Sequence, residues 1–373
     1  MGQTPLGVRA TADCERVINS VSATPAPLAY TSPLLVVRRD PYNAETPEYA
    51  LSEQVTPTPL VYVRSNFEMP LLDASHSIAV GGAVRAPYVL DVAALRALPQ
   101  RIVGCTMECA GNDRLSIHPL PSGEPWSSGA LSTMTWSGPS LRDVLSGAGV
   151  LEHACEILFT AADGGPRDDA DGRVTFARSI PIVEASHPDT ILALSMNGAP
   201  LTPEHGAPVR LVVPGWYGMA NVKWVQRIDA LLTPYDGYFQ RQRYVYDEAS
   251  GISAVRRMRV KSVITSPTVG STNPTSLVVR GWAWSGAGAI QGVEVAIDGG
   301  AQWQAAHLGT PATPYAWTPW ECSVMIEQLG RHTLRSRATD ATGAVQPDLI
   351  VWNRLGYGNN AVRPVVFEIG IRD

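Results

Sequence analysis

The sequence runs to 373 residues, 45% of them hydrophobic and 17% charged, which fits a well-buried chain of two domains and excludes wholesale disorder. Its 33 glycines and 30 prolines predict many turns, short strands and few long helices. A net charge of −5 leaves no basic footprint, so nucleic acid is not an expected partner, and no apolar run reaches membrane-spanning length.

Residues 1–50 are irregular and proline-rich and read as an N-terminal arm on the first domain. The start "MGQTPLGVRATADCERV" lacks a basic stretch followed by an apolar core, so no signal peptide is read there. The expected compartment is cytoplasmic, or periplasmic if the chain is a processed mature form. Residues 51–255 read as a mixed α/β domain. "ALSEQVTP" and "DVAALRALP" predict short helices, the second with Asp91 as N-cap and Pro99 as its stop. "SLRDVLSGAG" predicts another, opened by Ser140 and closed by glycine. "PLVYVR", "RIVGCTMEC", "CEILFTAA", "APVRLVVPG" and "VKWVQRIDALL" predict strands. Residues 256–373 change character to alternating short strands with turn signals. "QGVEVAIDGGAQWQAAHL" predicts a hairpin about Asp298-Gly299-Gly300. The expected fold class is therefore α+β, with an immunoglobulin-like β-sandwich as the second domain.

The five cysteines, Cys14, Cys105, Cys109, Cys155 and Cys322, are too sparse for a disulfide framework. Cys109 stands in "TMECAGNDRLS", where Ala110-Gly111-Asn112 lets the backbone turn after a strand. Two readings of it stay open on these residues: a thiolate for a soft metal or for nucleophilic attack, or a small buried hydrophobe. Arg114 follows, able to hold an anion. Elsewhere Arg64 closes a predicted strand. His205, Arg210 and Lys223 flank a glycine-rich turn, as a phosphate-bearing ligand needs. Tyr244 lies among arginines in "YFQRQRYVYDE".

Taken together, "CAGN", "MNGAPLTPEHGAPVRLVVPG" with "VKW" just after it, and "RGWAWSG" resemble the sulfite oxidase family of molybdenum enzymes over most of the chain. The resemblance implies a molybdopterin cofactor and makes Cys109 the molybdenum ligand, a role that suits a soft thiolate. It implies Arg64 and Arg114 for the oxyanion pocket, with Tyr244 and Trp126 beside them. His205, Arg210 and Lys223 would hold the pterin and its phosphate, and Ser179 would touch the pterin. Cys14, Cys105, Cys155 and Cys322 remain structural thiols. The implied reaction is sulfite oxidation, with nitrate, a sulfoxide or a sulfur-chain carrier as the alternative substrate and an inactive binding paralogue as the alternative class.

Three positions depart from the family's pattern. Asn66 stands where a histidine is usual and Arg243 where an acid is usual, while Arg354 precedes Leu355 in "WNRLGYG". If that segment is a strand, Arg354 points to the opposite face from the expected arginine. Asp113 is expected in a salt bridge or on a solvated loop. No haem, flavin or nicotinamide motif occurs in the sequence, so electrons are expected to leave to an external carrier such as a c-type cytochrome. A homodimer through the second domain is implied as well.

Overall fold

The computed structural model describes residues 33–73, 75–248, 251–267, 276–299, 302–326 and 328–369. Most of the expected arm, including Cys14, lies outside them. Within the described part, Leu35–Arg38 pairs antiparallel with Asn43–Glu45. Ala44 is fully buried and bridges Val63 by two backbone hydrogen bonds.

Two larger sheets build the region before residue 250, beside small two-stranded ones such as Arg210–Val212 on Ile191–Ala193. One has five strands in the order Tyr88–Asp91, Ser77–Gly82, Val225–Leu231, Glu156–Arg167 and Ala170–Pro181. Only the contact between Ser77–Gly82 and Val225–Leu231 is parallel in this sheet. Its strands alternate as the pleat demands, sending Ile78, Val80, Ile157, Phe159 and Ile228 into one core. The second sheet pairs Gln100–Glu108 with Leu131–Pro139 and continues through Ser195–Met196 to Ala199–Pro200. It packs a smaller core that includes Val103, Cys105, Trp136 and Met196.

Helices are few and short. Val92–Ala97 is opened by the Asp91 carboxylate, which accepts the Ala94 N–H at 2.7 Å, and it ends at Leu98, before Pro99. Leu141–Ala148 ends on Gly149 at φ 65°, in the left-handed region that glycine tolerates. Ser140 stands at its N-cap position, but its hydroxyl makes no capping bond. Two expectations change. "ALSEQVTP" holds only the end of a 3-10 turn, Glu48–Ser52. "PLVYVR" is a 3-10 turn at Thr58–Leu60 followed by the lone Val63 bridge. Pro57 and Pro59 have no N–H to give a ladder, so the apolar run there cannot pair as a full strand.

From Lys261 onward two four-stranded sheets face each other. One orders Lys261–Ser266, Ser276–Trp284, Thr318–Met325 and His307–Leu308; the other orders Gln304–Ala305, Ile290–Ile297, Gly330–Asp340 and Val365–Ile369. Val279, Val293, Val295, Trp320, Leu334 and Phe367 fill the space between them, which makes this a β-sandwich. The hairpin expected at Asp298 is present, with Asp298 and Gly299 both at positive φ. The sandwich is fastened to the first region at several points. Trp282 and Trp317 stack with centroids 4.9 Å apart, and their indoles donate to the Leu51 and Gln54 carbonyls. Tyr315 bridges Cys105, and the Trp317 N–H donates to Thr106 Oγ1 at 2.8 Å.

Candidate active site

The ends of both first-region sheets converge on a cleft of about 710 Å³, counted out to its open mouth. Arg64 reaches it from just past the Val63 bridge, and Cys109 from one residue beyond the strand Gln100–Glu108. His205 closes a 3-10 turn, Arg210 begins the strand Arg210–Val212, Lys223 precedes Val225–Leu231, and Tyr244 follows a π-turn at Phe239–Arg243. All six line the cleft, and Trp136, Asp163 and Asn66 join them. Side chains from distant parts of the sequence thus share one cavity.

Positive charge dominates the walls. Arg210 is buried and donates to the His205 carbonyl and the Asn221 carbonyl, both at 3.0 Å, with Met107 Sδ at 3.6 Å. Its guanidinium lies 4.7 Å from the Trp136 ring centroid, and its Nε has no partner. Lys223 donates to Ser65 Oγ at 2.9 Å and to the Glu204 carbonyl at 2.8 Å, above the Trp224 ring. No hydrogen bond of either cation goes to a carboxylate. Burial and the neighbouring Arg210 push the Lys223 ammonium down. Burial pushes the Asp163 carboxyl up, against the pull of Lys223 and Arg64. His205 is pushed down to about 3, first by burial and then by Arg210 and Lys223, so it stands neutral.

Arg64 and Tyr244 are tied through Asn66. Arg64 Nη2 donates to Asn66 Oδ1 at 2.7 Å, and Asn66 Nδ2 donates to Tyr244 Oη at 3.3 Å. The guanidinium fixes which end of the amide faces it, because a guanidinium cannot accept. Tyr244 therefore receives from Asn66 and keeps its own proton for a further acceptor. Burial pushes the Cys109 thiol up, while Arg64, the Gly111 N–H and Arg114 pull it the other way.

Three expected site residues do not line the cleft. Arg114 turns away: its Nε and Nη2 donate to the Leu355 carbonyl and its Nη1 to the Glu124 carbonyl, over the Tyr357 ring. A Cβ at Gly111 would run into this guanidinium, so glycine there is what admits the side chain. Trp126 is fully buried with its indole N–H unpartnered. Ser179 donates to Glu156 at 2.6 Å, and Glu156 also accepts the Tyr235 N–H. Among the departures, Arg243 pairs with Asp169 at 3.2 Å. Arg354 is 56% exposed in its side chain and pairs with Asp247 at 2.7 Å. It lies in a turn and not on a strand, so strand alternation is not what turns it away; the adjacent Leu355 enters the site's surroundings through its backbone oxygen. Asp113 forms a salt bridge with Lys261 at 2.5 Å. Cys105, Cys109, Cys155 and Cys322 are free thiols, and Cys155 is only partly buried. Sequence reasoning misses Trp136, Asp163 and Asn221; a lone Trp, Asp or Asn in a strand or turn carries no local signal of a pocket.

Residues 66–239 match the oxidoreductase molybdopterin binding domain, and residues 253–369 match the Mo-co oxidoreductase dimerisation domain. The chain is 34% identical to sulfite oxidase of Gallus gallus over 361 residues, covering 88% of this chain and 76% of that one. The protein belongs to the sulfite oxidase family. It is a molybdopterin-type oxidoreductase by that membership. The crystal structure of the sulfane dehydrogenase SoxCD from Paracoccus pantotrophus superposes with a TM-score of 0.76 at 28% identity, covering 93% of this chain and 90% of that one. A nitrate reductase of Hordeum vulgare is 32% identical over 380 residues, covering 89% of this chain but 42% of its own length. The chain spans 64% of the rat and human mitochondrial sulfite oxidases it matches.

The cleft fits the molybdenum cofactor of this family. Buried cations hydrogen-bonded only to neutral groups among the described residues, one with an orphaned Nε, suit a phosphate-bearing anion. Among the described residues no three His, Cys, Asp or Glu side chains converge as metal ligands. A metal at Cys109 would thus take most of its ligands from a non-protein group, which a pterin dithiolene provides.

Proposed function

We propose that the chain oxidises sulfite to sulfate and passes the electrons to an external carrier, such as a c-type cytochrome. In the balanced reaction sulfite gains one oxygen from water, two electrons leave to the acceptor, and two protons are released. When bound, the molybdenum cofactor supplies the oxygen-atom transfer and the two-electron redox chemistry. The chain's share is to hold and orient. Cys109 offers the thiolate for the metal. Arg210 and Lys223, with neutral His205 beside them, neutralise the pterin's phosphate. Arg64 presents a guanidinium to the substrate oxyanion, and Tyr244 donates its free phenolic proton to the same anion or to an oxygen beside it. Arg114 supports the Cys109 turn at Gly111, and Trp126 fills the buried cluster that Cys109 shares; Ser179 is a structural hydroxyl on Glu156. The observation that carries this proposal is the convergence of Cys109 with Arg64, Arg210 and Lys223 on one cleft.

Purified protein from a molybdenum-competent host is expected to contain molybdenum and pterin and to reduce cytochrome c when sulfite is added. Cys109→Ser should abolish that turnover with the fold intact; retained sulfite-dependent reduction would sink the assignment. A second reading keeps the cofactor and changes the substrate to nitrate, a sulfoxide or a sulfur-chain carrier. Asn66 favours it, since a neutral amide bridges Arg64 and Tyr244 where a titratable group is usual, and the likeness to SoxCD and to nitrate reductase points the same way. Parallel assays with nitrate and methionine sulfoxide decide: turnover of either, without sulfite, favours this second reading. We also propose a homodimer through residues 253–369, the stretch matching the dimerisation domain. Light scattering that returns only a monomer would contradict it.

A further inference from the structure

The turn that carries Cys109 is fastened by a side chain from the sandwich. Lys261, the first residue of the strand Lys261–Ser266, is 1% exposed. Its Nζ donates to Glu108 Oε1 at 3.1 Å, to Asp113 Oδ2 at 2.5 Å and to the Asn359 carbonyl at 3.0 Å. Glu108 and Asp113 bracket Cys109 in sequence. Glu108 Oε2 accepts the Trp284 indole N–H at 3.1 Å, and Glu108 Oε1 also accepts Asn112 Nδ2 at 3.0 Å. Asn112 in turn accepts the Ala130 N–H at its Oδ1 and donates its own N–H to the Cys109 carbonyl. The half-exposed Arg363 lies 4.0 Å from Asp113 Oδ1.

Sheet pairing alone does not fix this turn. The ladder between Gln100–Glu108 and Leu131–Pro139 has its last pair at Glu108 and Leu131. Asp113 then takes φ 60°, a left-handed conformation that a non-glycine residue holds only when its surroundings impose it. A desolvated ammonium needs every donor met, and the two carboxylates and one carbonyl meet all three. Without the ammonium, the two buried carboxylates would lose the cation they share, and the cheapest relief is for the turn to open towards water.

We propose that Lys261 is a positioning residue for Cys109: the second domain sets the geometry of the metal-ligand turn through one buried ammonium. The proposal rests on Cys109 being the metal ligand and adds the residue that holds it. Cys105, four residues earlier and inside the ladder, provides an internal reference. In full-length, cofactor-free protein, N-ethylmaleimide labelling followed by peptide mass spectrometry reads both thiols at once. Lys261→Met should raise the ratio of Cys109 to Cys105 labelling rates by about tenfold or more, because loss of global stability speeds both thiols alike while opening of the turn speeds only Cys109. Lys261→Arg should bring Cys109 back towards the wild-type rate. Asp113→Asn, whose amide tolerates the left-handed backbone, should give a smaller increase and serves if Lys261→Met does not fold. Equal acceleration of Cys105 and Cys109, or no acceleration of Cys109, overturns the proposal. In protein made with the cofactor, molybdenum per chain should fall in Lys261→Met relative to wild type. Wild-type protein without molybdenum would instead overturn Cys109 as ligand, and the labelling ratio would still test Lys261 separately.

Discussion

Two sets of buried cations serve the surroundings of Cys109, Lys261 on its turn and Arg210 with Lys223 in its cleft, and they are finished differently. Lys261 has two carboxylates and a carbonyl on its three donors. Arg210 and Lys223 have carbonyls, a hydroxyl and a thioether, and Arg210 keeps one N–H without a partner. The first arrangement is closed and can only hold the chain together. The second has no carboxylate hydrogen-bonded to it, Asp163 acting on Lys223 only through space, which leaves room for an anion such as the proposed pterin phosphate. Charge pairing thus separates a structural cluster from a binding one more clearly than burial does, since both are buried.

The difference can be broken deliberately. The largest effect is expected for Cys109→Ser, with complete loss of sulfite-dependent cytochrome reduction. Next, Lys261→Met should destabilise the cofactor-free chain by roughly 3–5 kcal/mol, because it strands Glu108 and Asp113; urea unfolding followed by tryptophan fluorescence measures it. Arg210→Met should behave differently. Removing a cation with no carboxylate partner should cost less cofactor-free stability than Lys261→Met does, while retention of the pterin weakens by about 10–100-fold, the worth of a charge-assisted hydrogen bond. Dialysis followed by pterin fluorescence would show this, and a large loss of cofactor-free stability would erase the distinction between the clusters.

A pH series sharpens the same contrast. His205 is pushed down to about 3 in the fold by burial, Arg210 and Lys223, whereas an unfolded histidine titrates near pH 6.5. Between these values the unfolded chain binds the extra proton, so stability falls as pH drops from about 6.5, by at most about 1.4 kcal/mol per pH unit. His205→Gln should flatten that limb in unfolding curves at pH 6.5, 5.5 and 4.5. The smallest effect is expected for Asn66→Ala. It removes the amide between Arg64 and Tyr244, and loss of about 1 kcal/mol corresponds to about a fivefold fall in kcat/KM.

Much of the site is legible in the sequence because motif residues sit where strands end. Cys109 closes a predicted strand and Lys223 stands near the start of another, while Arg210 is expected inside a strand and is found at the start of a shorter one. Asp91 announces its helix through a side chain three residues from its target, a range that sequence reading covers. Lys261 announces nothing: its carboxylate partners are 148 and 153 residues away, and a lysine opening a strand reads as surface. Leu355 reads as a missing arginine, while its contribution is a backbone oxygen, which any residue type carries. Arg114 reads as facing the substrate, yet sequence proximity to Cys109 says nothing about which way a long side chain turns. "PLVYVR" misleads because its apolar run matches a strand while Pro59 at its head, with Pro57 just before it, lacks the N–H donors that a strand requires.

The reach of Lys261, together with the Tyr315 and Trp317 contacts on Cys105 and Thr106, has a consequence for biosynthesis. A chain made from its N-terminus presents residues 100–116 long before residues 261 and 315–317 exist. With Lys261 in the proposed role, the turn around Cys109 would reach its final shape only after the sandwich has been synthesised and has docked. The same role would place loading of the cofactor after translation of the sandwich, since a nascent or truncated first region would present the thiol without the ammonium proposed to aim it.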